Sequence, residues 1–288
     1  MKLYDINSEC IIGNTPLVRL SDKLFAKLET YNPTGSIKDR MAYYILSKAE
    51  EQSKLKLGDT IVEASSGNTG IAFAMLGAIK GYKVKIIMPC NMSEERKQMM
   101  RVYGAEIIEV GASDFAAAIA LRDRICVESE NHFAPRQFSN KYNIECHEKT
   151  TAQEILRDTW FYDIDAFVSG AGTGGTIMGI QRAFKKSSKG TKIIMMQPTE
   201  PAKDHGIQGV NDGEDFLVNK KKLDGIINIK TEEAKERAKR LAREHGLLVG
   251  ISAGANVLAS EKWIEKNNPD GIVVTILCDR GERYLSCL

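Results

Sequence analysis

The chain has 288 residues, 43% of them apolar and 27% charged, which is enough to bury a sizeable core in one or two domains. Its 40 basic and 38 acidic residues leave a formal charge of +2, so no strong field points to nucleic acid or an anionic membrane. The N-terminus lacks a signal-peptide hydrophobic stretch and no apolar run reaches the length of a membrane span, so a cytoplasmic protein is expected.

In chain order, the first informative segment is NPTGSIKDR (32–40). An N-P-T-G opening cannot be helical, whereas DRMAYYILSKAEEQ has helical spacing, so Lys38 is expected in the first helical turn. Positive dipole charge at that end favours the neutral amine, the form that attacks a carbonyl.

TIVEA (60–64) reads as a short strand running into SSGNTG, and IAFAMLGAIK as a helix closed by Gly81. The serines, Asn68 and Thr69 around two glycines suit a substrate carboxylate, because backbone donors and neutral hydroxyls add no titratable group. An ordinary N-cap turn is the alternative. VKIIMP (84–89) is the next strand, SEERKQMMRVY (93–103) a helix with a serine cap, and EIIEV (106–110) another strand. The stretch from His132 to Asn143 reads as irregular.

A second α/β unit opens with DAFVSGAGTGGTIMGIQRAFKK (165–186), which is strand, glycine turn and helix, followed by the strand KIIMM (192–196). Gly170, Gly172 and Gly175 satisfy GxGxxG, so a dinucleotide site has to be weighed. The acid of that fingerprint is missing, since the next strand ends on Gln197. A single phosphate at the helix start, held by Gly172, Thr173, Gly174, Gly175 and Thr176, needs no such acid, and a plain packing turn is the remaining alternative. TEEAKERAKRLAREHG (231–246) is a helix with a threonine cap and a closing glycine; SAGANVLASEKWIEKN (252–267) and GIVVTILC (271–278) add a helix and a strand. Alternating strands and helices imply α/β architecture with parallel sheets. Six cysteines and four histidines show no metal-ligand spacing, so reduced thiols and no metal are expected. Lys38 and the two anion cradles together suggest a lysine-bound aldehyde cofactor.

IGNTPLVRL (12–20), NPTGSIKDR, SSGNTGIA, GTGGT, GISAGA and CDRGERYLS (278–286), in this order and over nearly the whole length, resemble the cysteine synthase and cystathionine β-synthase family of fold-type II pyridoxal-phosphate enzymes. EASSGNTG and CDRGERYLS look more similar to the B-type O-acetylserine sulfhydrylases than to the A-type. The resemblance implies two open, twisted, mainly parallel sheets covered by helices, as in tryptophan synthase β. A smaller N-terminal domain over 35–137 and a larger one over 1–34 plus 138–288 are expected, with pyridoxal 5'-phosphate at their junction, in a homodimer.

The same resemblance implies that Lys38 forms the internal Schiff base and moves the substrate's α-proton. Asn68 is expected on the cofactor's ring hydroxyl, Gly172 to Thr176 on its phosphate and Ser252 opposite its pyridine nitrogen. Ser65, Ser66, Thr69 and Gln137 match positions that bind the substrate carboxylate, with Gly209 and Asp212 as further contributors. A hydroxyl rather than a carboxylate beside the ring nitrogen leaves the ring a shallower electron sink, which favours β-elimination and replacement over transamination.

The implied reaction is O-acetyl-L-serine plus sulfide to L-cysteine plus acetate. Two departures bear on the substrate. Ser65 stands where threonine is usual, and GIQGVNDGEDF (206–216) carries Asp212, Glu214 and Asp215. Like charges 5 Å apart cost about 3 kcal/mol at an effective dielectric of 20, which disfavours a phosphoserine dianion if one of these acids faces inward. Asp212 facing the reacting carbon could instead activate water, making a cysteine-using lyase or β-synthase that releases hydrogen sulfide. A ligand-binding sensor without chemistry is the reading from another class; the intact lysine argues against it.

Overall fold

The computed structural model describes residues 11–187, 190–201, 204–210 and 216–288. Its elements, in chain order, are β1 (Leu17–Arg19), β2 (Leu24–Leu28), α1 (Lys38–Glu51), β3 (Thr60–Ala64), α2 (Asn68–Lys80), β4 (Lys83–Pro89), α3 (Glu94–Val102), β5 (Glu106–Val110) and α4 (Phe115–Val127). There follow β6 (His132–Phe133), α5 (Lys141–Lys149), α6 (Thr151–Asp158), β7 (Ile164–Gly170), α7 (Gly175–Ser187), β8 (Lys192–Pro198), β9 (Gly225–Ile229), α8 (Thr231–His245), α9 (Ile251–Asn267) and β10 (Ile272–Leu277). The chain forms two compact units, Met1–Ile12 with Lys38–Tyr142, and Gly13–Ile37 with Asn143–Leu288.

The first unit carries a four-stranded sheet in the order β5-β4-β3-β6, every pair parallel. Period-two alternation sends Ile61, Ile86 and Met88 to the face covered by α1, α2 and α3, and Val62, Ala64 and Ile87 to the face covered by α4. Helix α2 is buried along most of its length and ends at Gly81 in the left-handed conformation, φ 76°.

At the C-terminal end of α2, Tyr82 donates to Glu50 Oε1 at 2.8 Å, and Lys80 Nζ lies 3.1 Å from Glu50 Oε2. Partial burial first, then the bond to Glu50, pushes the Tyr82 phenol up to about 12 from its ordinary 10. Because the folded-state value is the higher one, this contribution to stability is complete below pH 10 and is lost as pH rises from 10 through 12. Tyr82→Phe is expected to flatten the alkaline fall of the urea midpoint between pH 9.5 and 11.5, and an unchanged slope would refute the assignment.

The second unit carries a six-stranded sheet in the order β1-β2-β10-β7-β8-β9, parallel except for the antiparallel β1–β2 pair. Val168, Ile194, Met196, Val273 and Leu277 enter the core that includes residues of α8 and α9; Phe167, Ile193, Met195, Val274 and Ile276 enter the opposite core with residues of α6 and α7. The fold is therefore the α/β class that strand–helix alternation implies.

Several local expectations need correction. Helix α8 is capped by Lys230, and Thr231 is its first residue, with no side-chain cap. Thr231 Oγ1 instead accepts from the Gly206 N–H at 3.0 Å, while its own N–H donates to Glu200 Oε1 at 2.8 Å. Ser93 does occupy the cap position of α3, but its buried hydroxyl bonds nothing among the described residues. The segment read as irregular holds β6 and the start of α5. Strand β2 escaped the sequence reading because LFAKL includes Lys27, which is fully buried. Its ammonium reaches the Thr15 carbonyl at 2.6 Å, Glu154 at 3.0 Å and Asp158 at 3.2 Å, pairing that lets a charge sit inside a sheet.

Candidate active site

The segment before Lys38 is tied down within the second unit. Asn32 Nδ2 bonds the Glu29 carboxylate at 2.7 Å, and Asn32's carbonyl accepts from the Gly35 N–H at 2.7 Å. Gly35 has φ +79°, and a Cβ there would lie 2.7 Å from Arg280 Cδ, so the turn needs glycine twice over. Arg280 Nε donates to the Thr30 carbonyl at 3.0 Å, Arg283 to that of Thr34, and the Ile37 N–H to that of Cys278 at 2.9 Å. Helix α1 then begins at Lys38, which is half-buried and followed by buried Asp39 and Arg40.

In the first unit, the turn between β3 and α2 is organised by Ser65. Its buried hydroxyl accepts from the N–H groups of Gly67 at 3.1 Å and Gly70 at 3.0 Å. Gly67 has no room for a side chain, since a Cβ would sit 2.3 Å from Cδ of buried Arg96. Ser66 is half-buried, and its hydroxyl and N–H have no partner among the described residues; Asn68, also half-buried, opens α2. Thr69 Oγ1 donates to Gln137 Oε1 at 2.7 Å, and Gln137 Nε2 donates to the Ala64 carbonyl at 2.8 Å. Ser65, Thr69 and Gln137 are thus brought together, across 68 residues of chain in the case of Thr69 and Gln137.

Sequence reasoning missed what lies beneath them. Glu63 Oε2 accepts from the Gln137 N–H at 2.9 Å, and its Oε1 pairs with Arg122 Nη1 at 3.0 Å. Burial pushes the Glu63 carboxyl up, while Arg122 and the N–H groups of Gln137 and Ala64 pull it down. A charge inside the apolar run TIVEA was the available signal.

In the second unit, β7 runs into Ala171 and the glycine turn. Among the described residues no acceptor takes the N–H groups of Gly172, Thr173 or Gly174, which leaves three successive donors ahead of α7. A Cβ on Gly172 would fall 2.3 Å from the Gly209 carbonyl oxygen, so that turn packs against the 206–210 segment. Gly174 has φ +89°. At Gly175 a Cβ would meet Asn143 Oδ1 at 1.9 Å, and Asn143 Nδ2 donates to Thr173 Oγ1 at 2.9 Å. Thr176 Oγ1 lies 3.3 Å from Nε2 of buried His147, whose Nδ1 lies 2.9 Å from Thr151 Oγ1. Asn143 and His147 share one face of α5 at i, i+4 spacing, a pattern visible in NIECH but not read there.

Ser252 is the second residue of α9 and 7% exposed, and its hydroxyl has no hydrogen-bond partner among the described residues. One turn along the same face, Asn256 Oδ1 accepts from the Gly170 N–H at 2.7 Å and Nδ2 donates to the Ile276 carbonyl at 2.9 Å. Asn256 therefore holds the last residue of β7. Asp212, Glu214 and Asp215 lie outside the described residues. Among the described residues no group of three or more histidines, cysteines and carboxylates could hold a metal ion, and no helix is long and apolar enough to cross a membrane.

Comparison with known proteins identifies the family. Residues 10–279 match the family described as pyridoxal-phosphate dependent enzyme. The chain is 39% identical to a cysteine synthase of Staphylococcus aureus and 40% identical to cysteine synthase B of Escherichia coli, in each case over 96% of this chain and 94% of the relative. The crystal structure of a hydrogen sulfide-producing enzyme from Fusobacterium nucleatum superposes with a TM-score of 0.92 at 39% identity, covering 97% of this chain and 89% of that one. A cysteine synthase from Entamoeba histolytica superposes at 0.91 with 37% identity, covering 99% and 90%. A lysine opening a helix, a turn of unpaired N–H donors and a family match spanning nearly the whole chain lead to one conclusion: the chain belongs to the pyridoxal-phosphate dependent enzymes.

Proposed function

We propose that this protein carries out β-replacement on an activated serine, converting O-acetyl-L-serine and sulfide to L-cysteine and acetate. The observation that carries this reading is the identity of about 40% to two cysteine synthases across 96% of the chain. Two features of the chain's own residues fit pyridoxal 5'-phosphate. The unpaired N–H groups of Gly172, Thr173 and Gly174 suit a phosphate, and the unpartnered Ser252 hydroxyl suits a ring nitrogen. When bound, the cofactor supplies an electron sink conjugated to the substrate's α-carbon.

Lys38 is the amine that attaches the cofactor and then takes and returns a proton at the α-carbon. Ser65, Ser66, Thr69 and Gln137 hold the substrate carboxylate, with Gly209 and Asp212 as further contributors, and Asn68 bonds the ring hydroxyl. Gly172 to Thr176 hold the phosphate. Ser252, a neutral partner, does not fix a proton on the pyridine nitrogen, so loss of acetate from the β-carbon is the favoured outlet. A homodimer acting in the cytoplasm completes the reading.

A second reading has its own observation, the likeness to the Fusobacterium nucleatum hydrogen sulfide-producing enzyme. On that reading L-cysteine is the donor and sulfide the leaving group. Steady-state rates with O-acetyl-L-serine plus sulfide are expected to exceed those of sulfide release from L-cysteine alone. The reverse order would replace the first reading with the second.

A further inference from the structure

We propose that Glu63 and Arg122 are positioning residues for substrate-carboxylate recognition: the buried pair anchors the main chain from which the Gln137 amide is presented. The inference rests on the reading of Thr69 and Gln137 as carboxylate ligands. It starts from a shortfall in the sheet. Strand β6 pairs with β3 only through Thr60–His132 and Ile61–Phe133, so the β6 side of β3 has no strand neighbour at Glu63 and Ala64. Buried backbone there needs other partners. Gln137 is one of them, its Nε2 reaching the Ala64 carbonyl at 2.8 Å.

That bond fixes which end of the amide faces where. A carbonyl oxygen accepts only from Nε2, so Oε1 is turned towards Thr69, whose hydroxyl donates to it at 2.7 Å. The Thr69 proton is thereby committed, and the Thr69 N–H, at the start of α2, is a donor left for an incoming carboxylate. The main chain of Gln137 is held as well, by its N–H bond to Glu63 Oε2 at 2.9 Å. Arg136, just before it, has φ 56°, a left-handed conformation that a non-glycine residue keeps only when its surroundings enforce it.

The enforcing group is a charged chain. Glu63 is fully buried and Arg122 is 4% exposed, on the face of α4 that also carries buried Ala118. Arg122 Nη1 bonds Glu63 Oε1 at 3.0 Å, and its Nη2 bonds Asp123 Oδ1 at 3.0 Å. Arg136 Nη2 reaches the same Asp123 oxygen at 3.2 Å. An apolar pair would fill the same volume with less desolvation cost, whereas the carboxylate adds an acceptor for the Gln137 N–H. Neither residue touches the substrate in this scheme; both act through Gln137.

The test is steady-state kinetics of the holoenzyme with Glu63→Gln, Glu63→Asp, Arg122→Gln and Gln137→Ala. Glu63→Gln and Arg122→Gln are expected to raise KM for O-acetyl-L-serine roughly 10- to 100-fold, the worth of one hydrogen bond to a charged group. KM for sulfide and the visible cofactor spectrum should stay as in the wild type, a split that general destabilisation does not produce. Glu63→Asp keeps the charge for Arg122 but draws it back from the Gln137 N–H, and should show the same split in milder form. If Gln137→Ala raises KM while the Glu63 and Arg122 variants do not, the inference fails and the carboxylate reading stands. Unchanged KM in Gln137→Ala overturns both. Loss of soluble protein in all three Glu63 and Arg122 variants would make the pair a folding element and overturn the inference too.

Discussion

Replacing Lys38 with alanine is expected to abolish the visible band that forms with pyridoxal 5'-phosphate and to lower cysteine formation by about 10⁴-fold or more, the upper end of what a positioned acid–base group contributes. On the proposed function the amine does two things that no neighbour replaces: it condenses with an aldehyde, and it moves a proton at the α-carbon. Its place as the first residue of α1 matters for both, since the helix N-terminus disfavours a positive charge. Folding should be little affected, because alanine is a strong helix former and Lys38 is only half-buried. The checks are an absorption spectrum during cofactor titration, a cysteine assay and a urea midpoint. A variant that keeps both the band and more than about a hundredth of the activity would remove Lys38 from the mechanism.

The second large effect is expected at Gly174. Its φ of +89° costs an L-residue about 1–2 kcal/mol, and a Cβ there would lie 2.5 Å from Val218 Cγ2, 2.8 Å from Val218 N and 3.1 Å from Leu217 C. Two of these neighbours are backbone, and the Leu217 N–H already bonds the Thr173 carbonyl at 3.1 Å, so relief requires moving the turn. Overpacking of this kind adds about 1–3 kcal/mol. Gly174→Ala should therefore lose roughly 2–5 kcal/mol of stability, and whatever strain is relieved by shifting Gly172 to Thr176 should appear as weaker cofactor binding. Gly104 is the matched control: φ is +87° and a Cβ there meets nothing within 4 Å. Gly104→Ala should cost only the backbone part and leave cofactor affinity unchanged. Equal losses in the two variants by urea unfolding, with equal pyridoxal 5'-phosphate affinity by dialysis, would refute the steric argument.

Much of the architecture was legible because local rules carried it. Strands β3, β4, β5, β7, β8 and β10 are short runs built round two or more consecutive apolar residues and bounded by turns, and helices α2, α3, α7, α8 and α9 begin or end where glycine, charge or chain polarity dictates. The two expected side-chain caps failed for different reasons. Ser93 holds the cap position but its hydroxyl bonds nothing among the described residues, whereas Thr231 lies one residue inside its helix and its hydroxyl is taken by the N–H of Gly206, 25 residues away in sequence. Helix α4 was missed because FAAAIAL spreads apolar residues all round, and β6 because two residues carry no periodicity.

By itself, the sequence determined the fold class, the helix-opening lysine and the presence of two anion-suited glycine turns, since each depends on residues adjacent along the chain. Only the tertiary structure decided which donors stay unpaired and which are used. The Thr69 proton goes to Gln137, the amide of Gln137 is oriented by Ala64 and anchored through Glu63 to Arg122, and Asn143 fills the space beside Gly175. Those partners come from segments tens of residues apart, and hydrogen-bond satisfaction is a property of three-dimensional neighbours that spacing along the chain does not encode.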